Sequence, residues 1–253
     1  MKATKILSLT LFSLFIIGCS ISEEITFNAN GSINYSYLID GSNFMEEIES
    51  EMGMASRKKT SAQDKKVRDT VIYLSRLYEE MKDSISTLSP EEVRENLTAL
   101  EEIQEKLTAL KPFILKVHDD GKKEYFVQLL GDFPNSTSLN SALSALSESS
   151  YRDSSTEILE FLANTPYGWD GKELRKTFVF PENIKSDSSA QSWLLMFKGG
   201  KYRAKYHFPK KVKKVSDSSA VISQDGKSVT IEYDASEYLT SSEKNNFIIE
   251  LED

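Results

Sequence analysis

The stretch EEITFNANGSINYSYLID, residues 23–40, predicts a β-hairpin. β-Branched and aromatic residues alternate with polar ones in 24–27 and again in 32–39. Between them Asn28, Ala29, Asn30 and Gly31 are turn chemistry, because Asn and Gly tolerate the left-handed backbone of a tight reversal. A period of two places Ile33, Tyr35, Tyr37 and Ile39 on one face, and that face has to be covered by another layer.

Downstream the periodicity changes to that of helices. Residues 42–54 read as a short amphipathic helix capped by Ser42, with Phe44, Met45, Ile48 and Met52 on its apolar side. The polar run SRKKTSAQDKK (56–66) is the best internal linker. Val67, Val71, Leu74, Tyr78, Met81, Ile85 and Leu88 then repeat every 3.5 residues, which predicts a helix with a coiled-coil-like seam. Ser89-Pro90-Glu91-Glu92 supplies a cap and a first-turn proline for a second helix, lined by Val93, Leu97, Leu100, Ile103, Leu107 and Leu110. Each helix runs only about three heptads, so the seam is expected to pack on the protein's own sheet rather than on another chain.

Pro112 ends the helical pair. Residues 113–118 and 124–130 flank an Asp-Asp-Gly turn and predict a second hairpin. Helices follow at 138–148 and 156–164. The YGWDG loop (167–171) leads to a strand at 174–180. From Trp193 the chain reads as a meander of strands at 193–197, 202–208, 220–223, 229–233 and 247–251, separated by polar loops at 198–201, 224–227 and 240–246. The expected fold class is α+β, an antiparallel sheet made of the N-terminal hairpin plus the C-terminal meander (about 172–253), packed against a central helical hairpin (helical middle about 62–110).

Upstream of the hairpin stands a leader. Lys2 and Lys5 form a positive start and residues 6–17 an apolar run of about 12, the size of a signal h-region and too short to span a bilayer. Cys19, the only cysteine of 253 residues, follows at once. Ile16-Ile17-Gly18-Cys19 resembles the lipobox of bacterial lipoproteins. That resemblance implies removal of 1–18 as a lipoprotein signal peptide and lipid attachment at Cys19, which becomes the first residue of a mature domain, 19–253. Two or three acyl chains make such an anchor effectively permanent, at about 0.8 kcal/mol per buried methylene. Ser20, in place of an inner-membrane retention aspartate, favours the outer membrane by the same resemblance. Glu23 and Glu24 resemble the acidic surface-export signals of Bacteroidetes lipoproteins, and the hairpin together with FPNSTSLNSAL (133–143) resembles uncharacterised members of that group. Residues 206–212, Ser218 and 225–231 are similar to the C-terminal part of the LppM-like lipoprotein domain.

Removing Lys2 and Lys5 leaves 29 basic against 39 acidic residues in the mature chain, a net charge of −10. Such a surface repels phosphate backbones, so nucleic-acid binding is disfavoured. The lysines at 210, 211, 213 and 214 are a local exception that reaches toward anionic headgroups. With Cys19 lipidated no thiol is left for a disulfide, a zinc site or a nucleophile. His118-Asp119-Asp120 is better read as a hairpin turn than as metal ligands, and His207 as a half-exposed strand residue. No Gly-x-Ser-x-Gly elbow is present, and Gly199-Gly200 lacks the helix that a phosphate loop needs. The aromatics Tyr35, Tyr37, Trp169, Trp193, Tyr202, Tyr206 and Phe208 read as sheet core.

The expectation is therefore a lipid-anchored envelope protein, not an enzyme and without cofactor, catalytic or metal-binding residues. It would act as a binding or scaffold module with the membrane as its partner through Cys19 and an envelope protein or apolar ligand beyond that. A carrier of lipid or hydrophobic peptide would instead need an apolar cavity of a few hundred cubic ångströms. A hydrolase would need converging carboxylates or a His–Ser contact.

Overall fold

The computed structural model describes residues 18–42, 67–121, 124–148, 165–178, 194–241 and 244–253. The leader up to residue 17, most of the expected helix at 42–54, the linker 56–66, the expected helix at 156–164 and Trp193 lie outside the described residues.

The hairpin expected at 24–39 is formed by β1 (Ser20–Phe27) and β2 (Ile33–Asp40), paired antiparallel from Ser20↔Asp40 to Phe27↔Ile33. Gly31 closes the turn at φ +85°, where a side chain would be strained. This hairpin is the middle of an eight-stranded sheet rather than its edge. On one side β2 pairs with β5 (Tyr125–Phe133), which pairs with β4 (Phe113–Asp119) and β3 (Arg68–Tyr73). On the other side β1 pairs with β8 (Lys201–His207), followed by β11 (Ser228–Asp234) and β10 (Val221–Ile222).

Three expectations are corrected here. The sheet is mixed, because β1 and β8 run parallel. The C-terminal strands do not form one meander, for β6 (Tyr167–Trp169), β7 (Glu173–Lys176), β12 (Phe247–Leu251) and β9 (Val212–Val215) make a second, four-stranded sheet. Residues 194–196, expected in a strand, form a helical turn. The division into two sheets follows from burial: β8 buries Tyr202, Ala204 and Tyr206, β12 buries Phe247, Ile249 and Leu251, and two one-sided sheets hide their apolar faces by packing on each other. The chain passes between the layers through α5 (Ala235–Thr240), which follows β11 directly. Its N-cap Asp234 accepts hydrogen bonds from the amides of Ser236 and Glu237, and it buries Ala235, Tyr238 and Leu239.

The helical middle is also narrower than expected. Arg68–Tyr73 is an edge strand and α1 begins only at Leu74, running to Ser86. The β-branched Val71 and Ile72 suit an edge strand, and residues 68–73 make six ladder pairs with β4. The second helix opens with Pro90 as expected but is split into α2 (Pro90–Glu95) and α3 (Leu97–Leu110). α1 and α3 pack on each other, and α3 also packs on α4 (Ser136–Glu148). Among the seam residues whose burial is described, Leu74 and Leu110 are buried, while Leu88, Leu97 and Ile103 stay exposed. The seam is therefore not buried along its length against the sheet.

Candidate functional site

Between the sheets the apolar alternation is broken twice. On β1, Ile21, Ile25 and Phe27 point inward, and Glu23 stands in the same row; on β7, Lys176 follows Leu174 two residues later. Both charged side chains are almost fully enclosed, at 1% and 0% exposure, and Lys176 Nζ lies 2.9 Å from Glu23 Oε2 and 3.2 Å from Oε1. An isolated buried charge is costly unless it is paired and hydrogen-bonded.

The pairing is extended by tyrosines. Tyr202 donates to Glu23 Oε2 at 2.9 Å and Tyr206 donates to Oε1. Lys176 Nζ lies 2.8 Å from the Tyr202 hydroxyl and 3.2 Å from those of Tyr206 and Tyr238. The Tyr202 and Tyr238 rings stack within 7° of parallel. Burial pushes the Lys176 ammonium below its ordinary range, and the Glu23 charge offsets this in part. Burial, reinforced by the Glu23 charge, holds the phenols of Tyr35, Tyr37, Tyr167, Tyr202, Tyr206 and Tyr238 well above theirs. The hydroxyls of Tyr35 and Tyr37 are buried without a hydrogen-bond partner among the described residues.

Glu23 was legible in the sequence only as an acidic residue near a cysteine. Its burial means that in the folded chain it is not displayed as a surface signal, whereas Glu24, one residue on, points outward. The aromatic reading holds for Tyr35, Tyr37, Tyr202, Tyr206 and Phe208, all buried, with Trp169 packed on Phe27 and Phe208 at 4.8 and 5.8 Å. A signal for the charged pair exists in the alternation itself, since each residue occupies the inward phase of its strand.

Cys19 stands immediately before β1 and is 3% exposed. Its amide donates to the Met196 carbonyl at 2.7 Å. The turn carrying Gly200 is pressed so close that a Cβ there would lie 2.7 Å from the Cys19 carbonyl carbon. Burial, with Asp40 adding charge, pushes the free thiol up to about 11.

The two histidines both sit on the outer face of the large sheet. His207 is in β8, as expected, with Nε2 2.8 Å from Glu24 Oε1 and Nδ1 2.9 Å from Ser228 Oγ. His118 lies in β4 rather than in the turn; its Nδ1 is 2.6 Å from Asp69 Oδ1 and its ring stacks on Phe126. The hydrogen bond from Asp69 raises the His118 pKa. The turn itself uses its carboxylates on backbone: Asp119 accepts from the Gly121 amide at 2.7 Å and Asp120 from that of Glu124 at 2.9 Å. Among the described residues no group of three or more His, Cys, Asp or Glu is arranged to hold a metal ion, and no helix is long and apolar enough to cross a membrane.

Open grooves of about 620 and 560 Å³ have walls wholly within the described residues. The first runs between α3 and α4 past Gln104, Thr108 and Ser138; the second lies between the β1–β2 turn and Trp169. Polar residues and apolar surface share both walls, with Ala109, Pro112 and Pro134 in the first groove and Ala29, Trp169 and Pro209 in the second.

No protein-family model and no curated protein matches the sequence, so the likeness to Bacteroidetes lipoproteins has no counterpart in those comparisons. Among solved structures the chain is similar to the folded domain of Mycobacterium tuberculosis LppM, determined by NMR. The two share 8% identity with a TM-score of 0.39 over 94% of each chain. A likeness at that level assigns neither family nor activity.

Proposed function

We propose that this protein is a lipid-anchored module of the bacterial cell envelope, a non-catalytic binding or scaffold domain held at the outer membrane through Cys19. The observation that carries the proposal is that the residue marked by the lipobox resemblance directly precedes the first strand: β1 starts at Ser20, in the centre of the large sheet. An anchor there would leave no flexible tether, and the acylated sulfur, enclosed when the thiol is free, would have to emerge past the turn at 198–200 to reach the bilayer. Because the folded thiol is buried and held at about 11, it is a poor nucleophile in the folded chain, and lipid attachment precedes completion of the fold.

The His207–Ser228 contact is the observation on the side of a hydrolase. Against that reading, the carboxylate and serine lie on an open sheet face, and β8 is paired on both edges. Strand amides engaged in ladders leave no donor for an oxyanion. We therefore assign the contact to cross-strand packing.

The test is expression of the native chain and a Cys19→Ala variant in a Gram-negative host, with the mass of the mature N-terminus and membrane fractionation of both. An acylated Cys19 and release of the variant from the membrane support the proposal. An unmodified terminus cut elsewhere overturns it.

A further inference from the structure

We infer that Lys176 and Glu23 form a modification site, an intramolecular isopeptide bond between Lys176 Nζ and Glu23 Cδ that ties β1 of the large sheet to β7 of the small one. Four observations carry this. The amine and carboxyl are held in contact, 2.9 and 3.2 Å from nitrogen to the two oxygens. Both are sealed from solvent, which removes the hydration that keeps ammonium and carboxylate charged and unreactive in water. Each carboxyl oxygen already accepts a phenol hydrogen bond, from Tyr202 and Tyr206. Two further buried hydroxyls nearby, Tyr35 and Tyr37, lack partners among the described residues and feel the Glu23 charge.

The chemistry balances without a co-reactant. A proton passes from the ammonium to the carboxylate, giving a neutral amine and a carboxylic acid; burial lowers the lysine's hold on its proton, against the opposing pull of the Glu23 charge. Nζ then attacks Cδ. Negative charge develops on the carboxyl oxygen that a phenol already faces, so the donors are preorganised for the tetrahedral state. The Nζ–Cδ bond forms and one Cδ–O bond breaks. That oxygen leaves as water, carrying the proton of the acid and one from nitrogen, and the unpartnered hydroxyls of Tyr35 and Tyr37 offer it hydrogen bonds. The enclosed site opposes the return of water to the amide.

The inference does not depend on lipid attachment. Its test is mass spectrometry of the full native chain, denatured and digested, beside a Lys176→Met variant. The expected result is a branched peptide joining the segments that contain residues 23 and 176, with no tryptic cut after Lys176. The intact native chain would also be lighter by one water than the variant's mass requires after correction for the substitution. Recovery of two linear peptides from folded protein kept at neutral and at mildly alkaline pH overturns the inference, as does a water loss that maps elsewhere. Since the native chain alone yields the branched or the linear peptides, the outcome stands even where the variant fails to fold.

Discussion

Glu23 on β1 faces Lys176 on β7 at 2.9 Å across the seam between the two sheets, and each side chain is almost completely enclosed. This contact is where an apolar core gives way to charge, and it governs how the protein responds to mutation and to pH.

Removing one partner strands a buried charge. Glu23→Leu or Lys176→Met alone is expected to cost about 3–5 kcal/mol, whereas the double replacement recovers part of that loss because no unpaired charge is left. Denaturant midpoints of the three variants measure it. A double variant no more stable than either single one would contradict the pairing.

Alkaline pH attacks the same cluster. The six buried tyrosines have folded pKa values well above 10.0, the value for an unrestrained phenol. Above that pH the unfolded chain loses phenol protons that the folded chain keeps, so stability falls as pH rises, by about 1.4 kcal/mol per pH unit for each such group. As a free amine, in chains where no bond to Glu23 has formed, Lys176 acts oppositely: its folded pKa is lowered below 10.5, so between the two values stability rises with pH. Six phenols outweigh one amine. Phenolate absorbance followed together with circular dichroism should show six of the eleven tyrosines ionising only as the fold is lost.

The thiol of Cys19, in a chain expressed without the leader, should be inert to an alkylating reagent at neutral pH and react on adding denaturant, since only thiolate is nucleophilic and burial holds its pKa at about 11. Rapid alkylation of the native fold would place Cys19 outside the core.

Gly200→Ala brings a Cβ onto the backbone of Cys19, with the carbonyl carbon at 2.7 Å. Backbone on both sides cannot yield as a side chain can, so a loss of about 1–3 kcal/mol is expected. Thermal melts check it. Gly171→Ala, where nothing lies within 4 Å, is the control for backbone strain without overlap.

His118 should titrate above the usual histidine range because Asp69 hydrogen-bonds its Nδ1. Its folded pKa is the higher one, so its contribution to stability is present at low pH and is lost as pH rises through that value. In Asp69→Asn the NMR titration midpoint should fall.

Much of the architecture was legible because local rules agree with it. The hairpin at 24–39, the strands at 113–118 and 247–251 and the helix near 138–148 all follow period and turn chemistry. Residues 67–73 misled because Val67, Val71 and Leu74 fit a 3.5-residue seam as well as an edge strand, and only pairing with β4 separates them. α5 was readable in principle from Asp234 followed by Glu237, a capping pattern.

By itself the sequence marked many of the strands and helices, the turn residues, the acidic balance of charge and the cysteine, all of which depend on neighbours a few positions away or on composition. Only the tertiary structure decided that β1 lies parallel to β8, that the C-terminal strands divide between two sheets, and that Glu23 meets Lys176. Those two residues are 153 positions apart, and charged residues read as surface until the packing of two apolar faces leaves them no water to face.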